Sequence, residues 1–300
     1  MKRLLITGGS GYLGRKLVQK AREDWSVIYT FLNNPVNIPG ATGIPLDILD
    51  REQVALLFRE FRPDAVIHTA YSQNNLDVIV EGTQNIASAS QHSKARLVHI
   101  STDAVFDGER GWYREDDTPN PIHPYGKAKA KAELSVGCAA PLLGITQSNR
   151  AKRGSATALT GSGATIVRTS LIWGLSPLDP RTLYIRDCLA EGKDLALFTD
   201  EYRCPILVDE LASAILELLN LDFQGIIHVA GSERMSRYEF GMKLAEKLEL
   251  NSQGVTPALS QFSELVRPKD CSLDTSLARN LLRTRISGAS ELLESKARSK

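Results

Sequence analysis

The sequence lacks three features that mark large classes of protein: paired cysteines, excess charge of one sign and long apolar runs. Its four cysteines stand singly, with the spacing of neither metal ligands nor a disulfide framework, which suits a reducing cytosol. The formal net charge is +1, so no overall field favours nucleic acid or an anionic membrane surface. No stretch approaches the roughly 18 apolar residues of a membrane span. These absences predict a cytoplasmic protein with small-molecule partners and no metal.

Length and composition favour a globular chain with a large core. The 300 residues are 42% hydrophobic, enough for one big domain or two smaller ones. The start, MKRLLITGGSGYLG, has a basic tip, but polar and glycine residues interrupt its apolar run before signal-peptide length. We therefore expect no secretory signal.

Short apolar runs alternate with amphipathic stretches through the first half of the chain. Predicted helices lie at 13–23, 51–61 and 76–92, with Asp50 and Gln53 as a capping pair for the second. The predicted strands are RLLIT at 3–7, SVIYTF at 26–31, AVIHTA at 65–70, RLVHIS at 96–101 and ATIVRTS at 164–170. Strands that are apolar throughout and separated by helices indicate an α/β fold with a doubly wound parallel sheet of the Rossmann type.

The alternation loosens beyond about residue 171. Helices are predicted near 208–219 and 236–248, and the apolar GIIHVAG lies between them. We interpret residues 1–170 as a dinucleotide-binding domain and 171–300 as a smaller, mixed substrate-binding lobe, part of which returns to the sheet. Ser236 and Glu239 are predicted to form a helix capping box.

A glycine-rich motif, TGGSGYLG at residues 7–14, joins the first predicted strand to the first predicted helix. Gly8, Gly11 and Gly14 follow a G-x-x-G-x-x-G spacing. A tight turn, a close approach of the backbone to a pyrophosphate and close packing of helix on strand each need a residue without a side chain. The motif predicts a dinucleotide site, against the alternative of a glycine turn without a ligand.

The end of the second strand bears on the choice of dinucleotide. No carboxylate lies between Trp25 and Asp47, so a 2′-phosphate meets no charge repulsion there. Arg15 or Lys16 is a candidate to contact this phosphate. NADP(H) is therefore favoured over NAD(H). Asp47 has two interpretations that spacing leaves open, one at the adenine edge and one as a simple turn or cap residue.

The segment IHPYGKAKAKAE at 122–133 contains Tyr125 and three lysines. In a helix, Lys129 lies about 40° around the axis from Tyr125, whereas Lys127 and Lys131 lie on the far side. We expect Lys129 to share the face of Tyr125 and the other two lysines to be solvated. The spacing alone is weak evidence, because Tyr12 and Lys16 share it.

Three polar residues follow the apolar run of LVHISTDAVFDG at 97–108. Ser101, Thr102 and Asp103 come where a parallel strand ends, which is where doubly wound sheets bind their ligands. The alternative is an ordinary strand terminus. The glycine motif, these strand-end residues and the Tyr125 to Lys129 pair follow in this order along the chain, and the three features constrain one another.

Taken together, the glycine motif, Asp47, STDAVFDG, the Tyr125 to Lys129 pair and IVRTSLIWG resemble an extended short-chain dehydrogenase/reductase. The later stretches FTDEYRCPILVDELA, HVAGSERMSRYEFG and RPKDCSLDTSLA resemble the dTDP-4-dehydrorhamnose reductase group of sugar-nucleotide reductases. The resemblance covers nearly the whole chain. It implies a cofactor site formed by Gly8, Ser10, Gly11, Tyr12, Leu13, Gly14, Asp47, Ile48, Thr69, Ala70, Tyr125 and Lys129.

The implied reaction is reduction of a 4-keto nucleotide sugar, most plausibly dTDP-4-dehydrorhamnose to dTDP-rhamnose. Tyr125 is implied as the proton donor, Lys129 as the cation that favours the phenolate and holds the ribose, and Thr102 as the substrate-orienting hydroxyl. Asp103, Arg203 and Arg267 are further substrate candidates, the arginines for a diphosphate. Surface salt bridges are the alternative for both arginines.

Related activities in the superfamily differ in the residues that they require. A sugar-nucleotide dehydratase characteristically has a glutamate after the aspartate, whereas Ala104 follows Asp103 here. A nucleotide-sugar epimerase stays open, as does a non-catalytic NADP-binding regulatory subunit like that of methionine adenosyltransferase. The stretch at 137–163 has no counterpart in the family pattern and is expected to be an inert insertion, with a functional lid as the alternative. The sequence leaves the oligomeric state open, with a homodimer as one option.

Overall fold

The structure, a computed structural model, describes residues 1–137, 164–221, 223–263 and 265–294. These residues form two compact units, each assembled from separate segments of the chain. The described residues of the first unit fall within Met1–Ser101, Ala128–Val167 and Ile215–Ile227. Those of the second fall within Thr102–Lys127, Arg168–Ala214 and His228–Lys300. The predicted insertion lies outside the described residues except for Gly137.

Strands and helices alternate along the chain. The strands are β1 (Lys2–Thr7), β2 (Trp25–Phe31), β3 (Thr42–Pro45), β4 (Ala65–His68), β5 (Arg96–Thr102), β6 (Ala164–Thr169), β7 (Ile172–Trp173), β8 (Leu195–Phe198), β9 (Tyr202–Arg203), β10 (Ile206–Leu207), β11 (Gly225–His228), β12 (Met235–Ser236) and β13 (Val255–Ala258). The α-helices are α1 (Tyr12–Ala21), α2 (Arg51–Phe61), α3 (Leu76–Ser93), α4 (Pro124–Ser135), α5 (Pro180–Ala190), α6 (Val208–Asn220), α7 (Arg237–Lys247), α8 (Ser276–Leu281) and α9 (Ala289–Glu294). Short 3-10 helices lie at Asp103–Val105 and Ser260–Phe262.

The central sheet has seven strands in the order β11-β6-β5-β4-β1-β2-β3. The pairs β1 with β2, β1 with β4, β2 with β3, and β4 with β5 are all parallel. After β3 the chain returns to place β4 on the other side of β1, which makes the gap between β1 and β4 the topological switch point. The predicted doubly wound α/β fold is confirmed.

The sheet forms because its strands are apolar on both faces. Leu4, Leu5 and Ile6 of β1 are fully buried, as a strand covered by helices on both sides requires. Helix α1 presents a buried stripe at Leu13, Leu17, Val18 and Ala21, the three- and four-residue spacing of an amphipathic helix. The core against one face of the sheet includes Leu5, Val54, Phe58, Val66, Ile86, Leu97 and Ile166.

Helix α2 shows how closely local signals fixed an element. Its bounds agree with the predicted 51–61, and Asp50 is the N-cap, accepting hydrogen bonds from the backbone N–H groups of Glu52 and Gln53. The Gln53 side chain also donates to Asp50 Oδ2 at 2.8 Å, so the predicted capping pair is confirmed. The sequence missed β3, an edge strand that pairs with β2.

The second unit contains three two-stranded sheets of mixed direction. Strand β7 pairs parallel with β10, β8 parallel with β13, and β9 antiparallel with β12. The predicted helices near 208–219 and 236–248 are present as α6 and α7, and the capping box of Ser236 and Glu239 is confirmed. The hydrophobic core of this unit includes Trp173, Ile185, Leu195, Met235, Phe240 and Leu244.

Candidate functional site

The loop after β1 lies against the residues that follow β4. Gly8 has a φ of +68°, and a Cβ on it would lie 2.8 Å from the Ala70 backbone. The Thr69 hydroxyl donates to the carbonyl of Thr7 at 2.7 Å and ties the two strand ends together. Because this is the switch point of the sheet, the predicted cofactor residues Gly8, Thr69 and Ala70 lie at the position where doubly wound folds bind ligands.

Helix α1 approaches the same loop closely. A Cβ on Gly14 would lie 2.2 Å from the carbonyl oxygen of Gly8 and 2.7 Å from the Cα of Gly9. Gly11 is the N-cap of α1, with no side-chain capping hydrogen bond and no acidic residue in the first turn. Bare backbone at a helix N-terminus is a fitting cradle for a pyrophosphate. These residues therefore fit the phosphates of a dinucleotide.

The remaining loop residues surround this cradle. Ser10 accepts a hydrogen bond on its carbonyl from Arg15 Nε at 2.6 Å, so one donor of Arg15 is already used within the loop. Tyr12 is the first residue of α1, and Leu13 is buried. Strand β2 ends at Phe31 and is followed by the exposed Leu32. The preference for NADP(H) stays a prediction.

Asp47 stabilises a turn. Its Oδ1 accepts a hydrogen bond from the Leu49 backbone at 2.9 Å, which agrees with the turn or cap interpretation. Ile48 is buried, and a Cβ on Gly82 of α3 would lie 2.5 Å from its Cδ1. Asn85 of α3 donates to the Ile48 carbonyl at 2.9 Å, so the turn is anchored to that helix. A role at the adenine stays a prediction for both residues.

Helix α4 divides its lysines as the sequence predicts. Lys129 is 5% exposed, whereas Lys127 and Lys131 are exposed, and Tyr125 is partly buried. Tyr125 and Lys129 are one helical turn apart, on the same face of the helix. The helix ends at Ser135, and Gly137 follows with a φ of +75°.

The start of α4 packs against the short 3-10 helix after β5. A Cβ on Gly126 would lie 2.1 Å from the carbonyl oxygen of Ala104. His123 Nδ1 accepts a hydrogen bond from the Gly126 backbone at 2.9 Å. The ring of His123 stacks on that of Tyr125, with their centroids 6.0 Å apart. These contacts fix the turn that carries Tyr125.

Lys129 is held in a buried, mainly uncharged environment. Its Nζ donates to the carbonyl of Ile100 at 3.0 Å and lies 5.5 Å from the centroid of the Tyr71 ring. Burial lowers the pKa of Lys129 to about 8, while the carboxylate of Glu133 acts in the opposite direction. The protonation state of its ammonium group can therefore change within the pH range in which enzymes work.

Two buried histidines lie near Lys129. His68 is hydrogen-bonded to Thr7 Oγ1 at 2.6 Å and to Thr83 Oγ1 at 3.0 Å. The ring of His99 stacks on that of His68, with their centroids 5.3 Å apart. Burial, and then the charge of Lys129, lowers the pKa of His68 to about 3 and that of His99 well below its usual value. Both rings are therefore neutral at physiological pH and contribute no charge.

Thr102 and Asp103 begin a small polar network in the second unit. The Thr102 hydroxyl donates to Asp103 Oδ1 at 3.1 Å and accepts from the Ala104 backbone at 3.2 Å. Asp103 Oδ2 accepts from Ser170 Oγ at 2.6 Å. Its carboxylate also lies 3.6 Å from Arg203 Nε. The carboxylate of Asp103 is thus committed to partners within its own unit.

Arg203 is a structural arginine. It is 9% exposed, and its Nη2 lies 3.3 Å from Glu201 Oε1. Its Nη1 and Nη2 atoms also donate to the backbone carbonyls of Tyr202, Pro268 and Lys269. Few donors of this guanidinium are left for a ligand, and its ion pairs are buried rather than at the surface. Binding of a diphosphate by Arg203 stays a prediction.

Several arginines converge on the single carboxylate of Glu201. Arg267 Nη1 lies 3.4 Å from its Oε2, and Arg237 Nε lies 3.9 Å from its Oε1. The pKa of Arg237 is lowered to about 10, first by burial and then by the charge of Arg181. Glu201 and Asp103 together bring two negative charges to the three guanidinium groups of Arg203, Arg237 and Arg267, which leaves an excess of positive charge. The cluster therefore favours an anion.

The predicted site residues fall into two groups. The first unit contains the glycine motif, the turn at Asp47 and Ile48, Thr69 with Ala70, and Lys129. The second contains Thr102, Asp103, Tyr125, Arg203 and Arg267. The sequence analysis missed Glu133 and Arg237, although Glu133 follows Lys129 by the four residues of one helical turn.

Within the described part of the chain, no group of histidine, cysteine or acidic side chains is arranged to hold a metal ion. None of the helices described there is both long and apolar enough to cross a membrane.

Comparisons with known proteins agree with this architecture. The family model described as "RmlD substrate binding domain" matches residues 1–295. A solved structure described as a hypothetical dTDP-4-dehydrorhamnose reductase from Sulfolobus tokodaii is 35% identical, with a TM-score of 0.78 over 95% of this chain and 96% of that one. A dTDP-4-dehydrorhamnose reductase from Bacillus anthracis in complex with NADP is 26% identical, with a TM-score of 0.78 over 98% of each chain.

A relative of a different class is also similar. Methionine adenosyltransferase 2 subunit beta from Xenopus tropicalis is 27% identical over 299 residues, covering 92% of this chain and 81% of its own length. Sequence likeness at this level therefore includes both reductases and a subunit of another enzyme.

Proposed function

This chain belongs to the RmlD substrate binding domain family, and from that premise we propose that it reduces the keto group of a nucleotide sugar with NADP(H). The observation that carries the proposal is Lys129, a buried lysine one helical turn from Tyr125 with a pKa of about 8. Burying a lysine lowers the stability of the fold, so a purely structural role gives little reason to keep it. A role in catalysis gives such a reason.

In the proposed reaction Tyr125 donates the proton to the carbonyl oxygen as it becomes an alkoxide. The bound dinucleotide supplies the hydride. The positive charge of Lys129 favours the phenolate of a tyrosine on the same helix face. Thr102 orients the substrate oxygen by turning towards it the hydroxyl proton that Asp103 Oδ1 accepts in this structure, while the Ala104 N–H keeps the hydroxyl oxygen in place.

The finer proposal is that the substrate is dTDP-4-dehydrorhamnose and the product dTDP-rhamnose. Support comes from the reductases to which the chain is similar. The arginine cluster around Glu201 supplies positive charge for the substrate diphosphate, with Arg267 and Arg237 as its ligands. In this proposal Arg203 is a buried member of the cluster and pairs with Glu201.

The cofactor is proposed to be NADP(H). The bare loop and first turn of α1 fit a pyrophosphate, and the chain after β2 offers no carboxylate to repel a 2′-phosphate. The similar reductase from Bacillus anthracis was solved in complex with NADP. NADPH is therefore expected to bind more tightly than NADH.

The test is turnover of a 4-keto nucleotide sugar. Purified protein is given enzymatically generated dTDP-4-dehydrorhamnose with NADPH or with NADH, and oxidation is followed by absorbance. Wild type is expected to oxidise NADPH, and Tyr125→Phe to lose activity by a factor of about 100 to 10,000, the usual contribution of a general acid. Cofactor affinity should be unchanged in the variant. Equal rates for both proteins would exclude Tyr125 as the proton donor.

A second candidate is a non-catalytic NADP-binding regulatory subunit, favoured by the likeness to methionine adenosyltransferase 2 subunit beta. It predicts normal cofactor binding with no turnover of any keto sugar. An epimerase would instead retain NAD tightly and give a product that differs only in stereochemistry. Cofactor binding, turnover and product analysis on the same purified protein distinguish the reductase, the regulatory subunit and the epimerase.

A further inference from the structure

The face of α4 that carries Tyr125 and Lys129 continues to Glu133. Each of these residues is separated from the next by four positions, so all three lie along one side of the helix. Glu133 is 5% exposed. A buried carboxylate on this face needs a reason, because glutamate is almost never fully buried unless it is paired.

Glu133 and Lys129 form hydrogen bonds with adjacent residues near the end of β5. Lys129 Nζ donates to the carbonyl of Ile100, and Glu133 Oε1 accepts a hydrogen bond from the hydroxyl of Ser101. The next residue of the strand is Thr102, the proposed substrate-orienting hydroxyl. One helical turn thus fixes both the ammonium group and the strand end from which Thr102 projects.

The charges around Lys129 leave Glu133 as its counter-ion. Among the described residues, the groups around it are His68 of β4, His99 of β5 and the ring of Tyr71, with Tyr125 and Glu133 on its own helix. Both histidines are neutral at physiological pH. Burial lowers the pKa of Lys129, and the carboxylate of Glu133 raises it.

From this arrangement we propose that Glu133 is a positioning residue, which keeps Lys129 protonated and seated on β5 for the proposed reduction. The inference deepens the proposed function and rests on it for its role in turnover. The electrostatic coupling between the two side chains can be measured without any substrate. A failure of the coupling and a failure of the reductase proposal are therefore distinguishable.

The experiment is an NMR pH titration of the Lys129 side chain in full-length protein with isotope-labelled lysine, assigned with Lys129→Arg. Glu133→Gln keeps an oxygen that can accept from Ser101 but removes the charge. Its Lys129 midpoint should fall below that of wild type by about one pH unit or more, because a carboxylate close to a cation favours the charged form. The exposed Lys127 and Lys131 on the same helix are internal references.

Two further variants separate charge from packing. Ser101→Ala removes the hydrogen bond but keeps the carboxylate, so the Lys129 midpoint should stay close to that of wild type. Glu133→Asp restores the charge and should recover part of the lost shift. A midpoint in Glu133→Gln within about 0.2 pH units of wild type, or an equal fall in Ser101→Ala, would overturn the proposal.

Turnover supplies the second readout. A lysine with a lower pKa loses its proton at lower pH, so the alkaline limb of the pH profile of kcat/KM should move down in Glu133→Gln by the same amount as the NMR midpoint. Activity at mildly acidic pH should be close to that of wild type. A uniform loss of activity at every pH, with an unmoved alkaline limb, would assign Glu133 to packing alone.

Discussion

At the scale of single residues, two glycines of the loop motif differ in what a methyl group would meet. A Cβ on Gly14 would lie 2.2 Å from the Gly8 carbonyl oxygen, whereas a Cβ on Gly11 would lie 3.2 Å from it. Gly11 also has a φ of −73°, which alanine adopts without strain.

We therefore expect Gly14→Ala to lower the free energy of unfolding by about 1–3 kcal/mol, the usual cost of overpacking, and to weaken NADPH binding. Gly11→Ala is the matched control and should unfold within about 0.5 kcal/mol of wild type. Denaturant unfolding of both variants checks this. Equal losses would show that contact with the loop backbone is not the cause.

The arginines of the second unit give a second pair of variants. Arg203→Ala leaves the buried carboxylate of Asp103 without its arginine and removes one of the three arginines that pair with Glu201, so it should destabilise the protein by about 3–5 kcal/mol. Arg267→Ala removes a partly exposed group and should be thermally near neutral, while weakening dTDP binding about tenfold.

Thermal unfolding and calorimetric titration with dTDP check this pair. Arg186→Ala is the control, because Arg186 is an exposed arginine paired with its neighbour Asp187. It should change neither quantity. Unchanged dTDP binding in Arg267→Ala would remove that residue from the proposed substrate site.

How far single residues could be predicted depends on where their partners lie. The exposure of Lys127 and Lys131 and the burial of Lys129 follow from helical periodicity, which is local. The structural role of Arg203 could not be predicted, because two of its three carbonyl partners, Pro268 and Lys269, are 65 and 66 residues away. Sequence spacing contains no signal for such a contact.

At the scale of elements, both ends of α2 were predicted correctly, because the side chain of Asp50 marks the start of the helix. The prediction is that Asp50→Ala destabilises the protein by about 1 kcal/mol, since two backbone N–H groups lose their acceptor. Gln53→Ala should cost less than about 0.5 kcal/mol, because it removes only an exposed bond between side chains. Chemical denaturation measures both, and a larger loss for Gln53→Ala would contradict the capping argument.

Strand β3 shows the opposite case. Its sequence, TGIP, contains a glycine and a proline, which are depleted in strands, and it is tolerated because it lies at the edge of the sheet. A Cβ on Gly43 would lie 2.7 Å from the ring of Tyr29, so packing across β2 requires the glycine. A strand whose composition is set by a neighbour's ring has no hydrophobic pattern to detect.

At the scale of the whole molecule, the alternation of apolar strands and amphipathic helices was enough to predict the doubly wound fold. The grouping of Thr102–Lys127 with the second unit was not predictable, because it depends on long-range contacts that leave no local pattern. A net charge of +1 also conceals the arginine cluster around Glu201. Overall composition therefore limits the class of partner, and local charge indicates its chemistry.

In the proposed reaction this chain transfers a hydride from NADPH to a keto sugar, and Tyr125 supplies the proton. The most direct measurement uses NADPH deuterated at the transferable position, with dTDP-4-dehydrorhamnose as substrate and mass spectrometry of the product. We predict one deuterium in the sugar for each NADPH oxidised by wild type, and no labelled product from Tyr125→Phe on the same timescale. Bound NADPH that is never oxidised by any keto sugar, or a product isomer without deuterium, would contradict the claim.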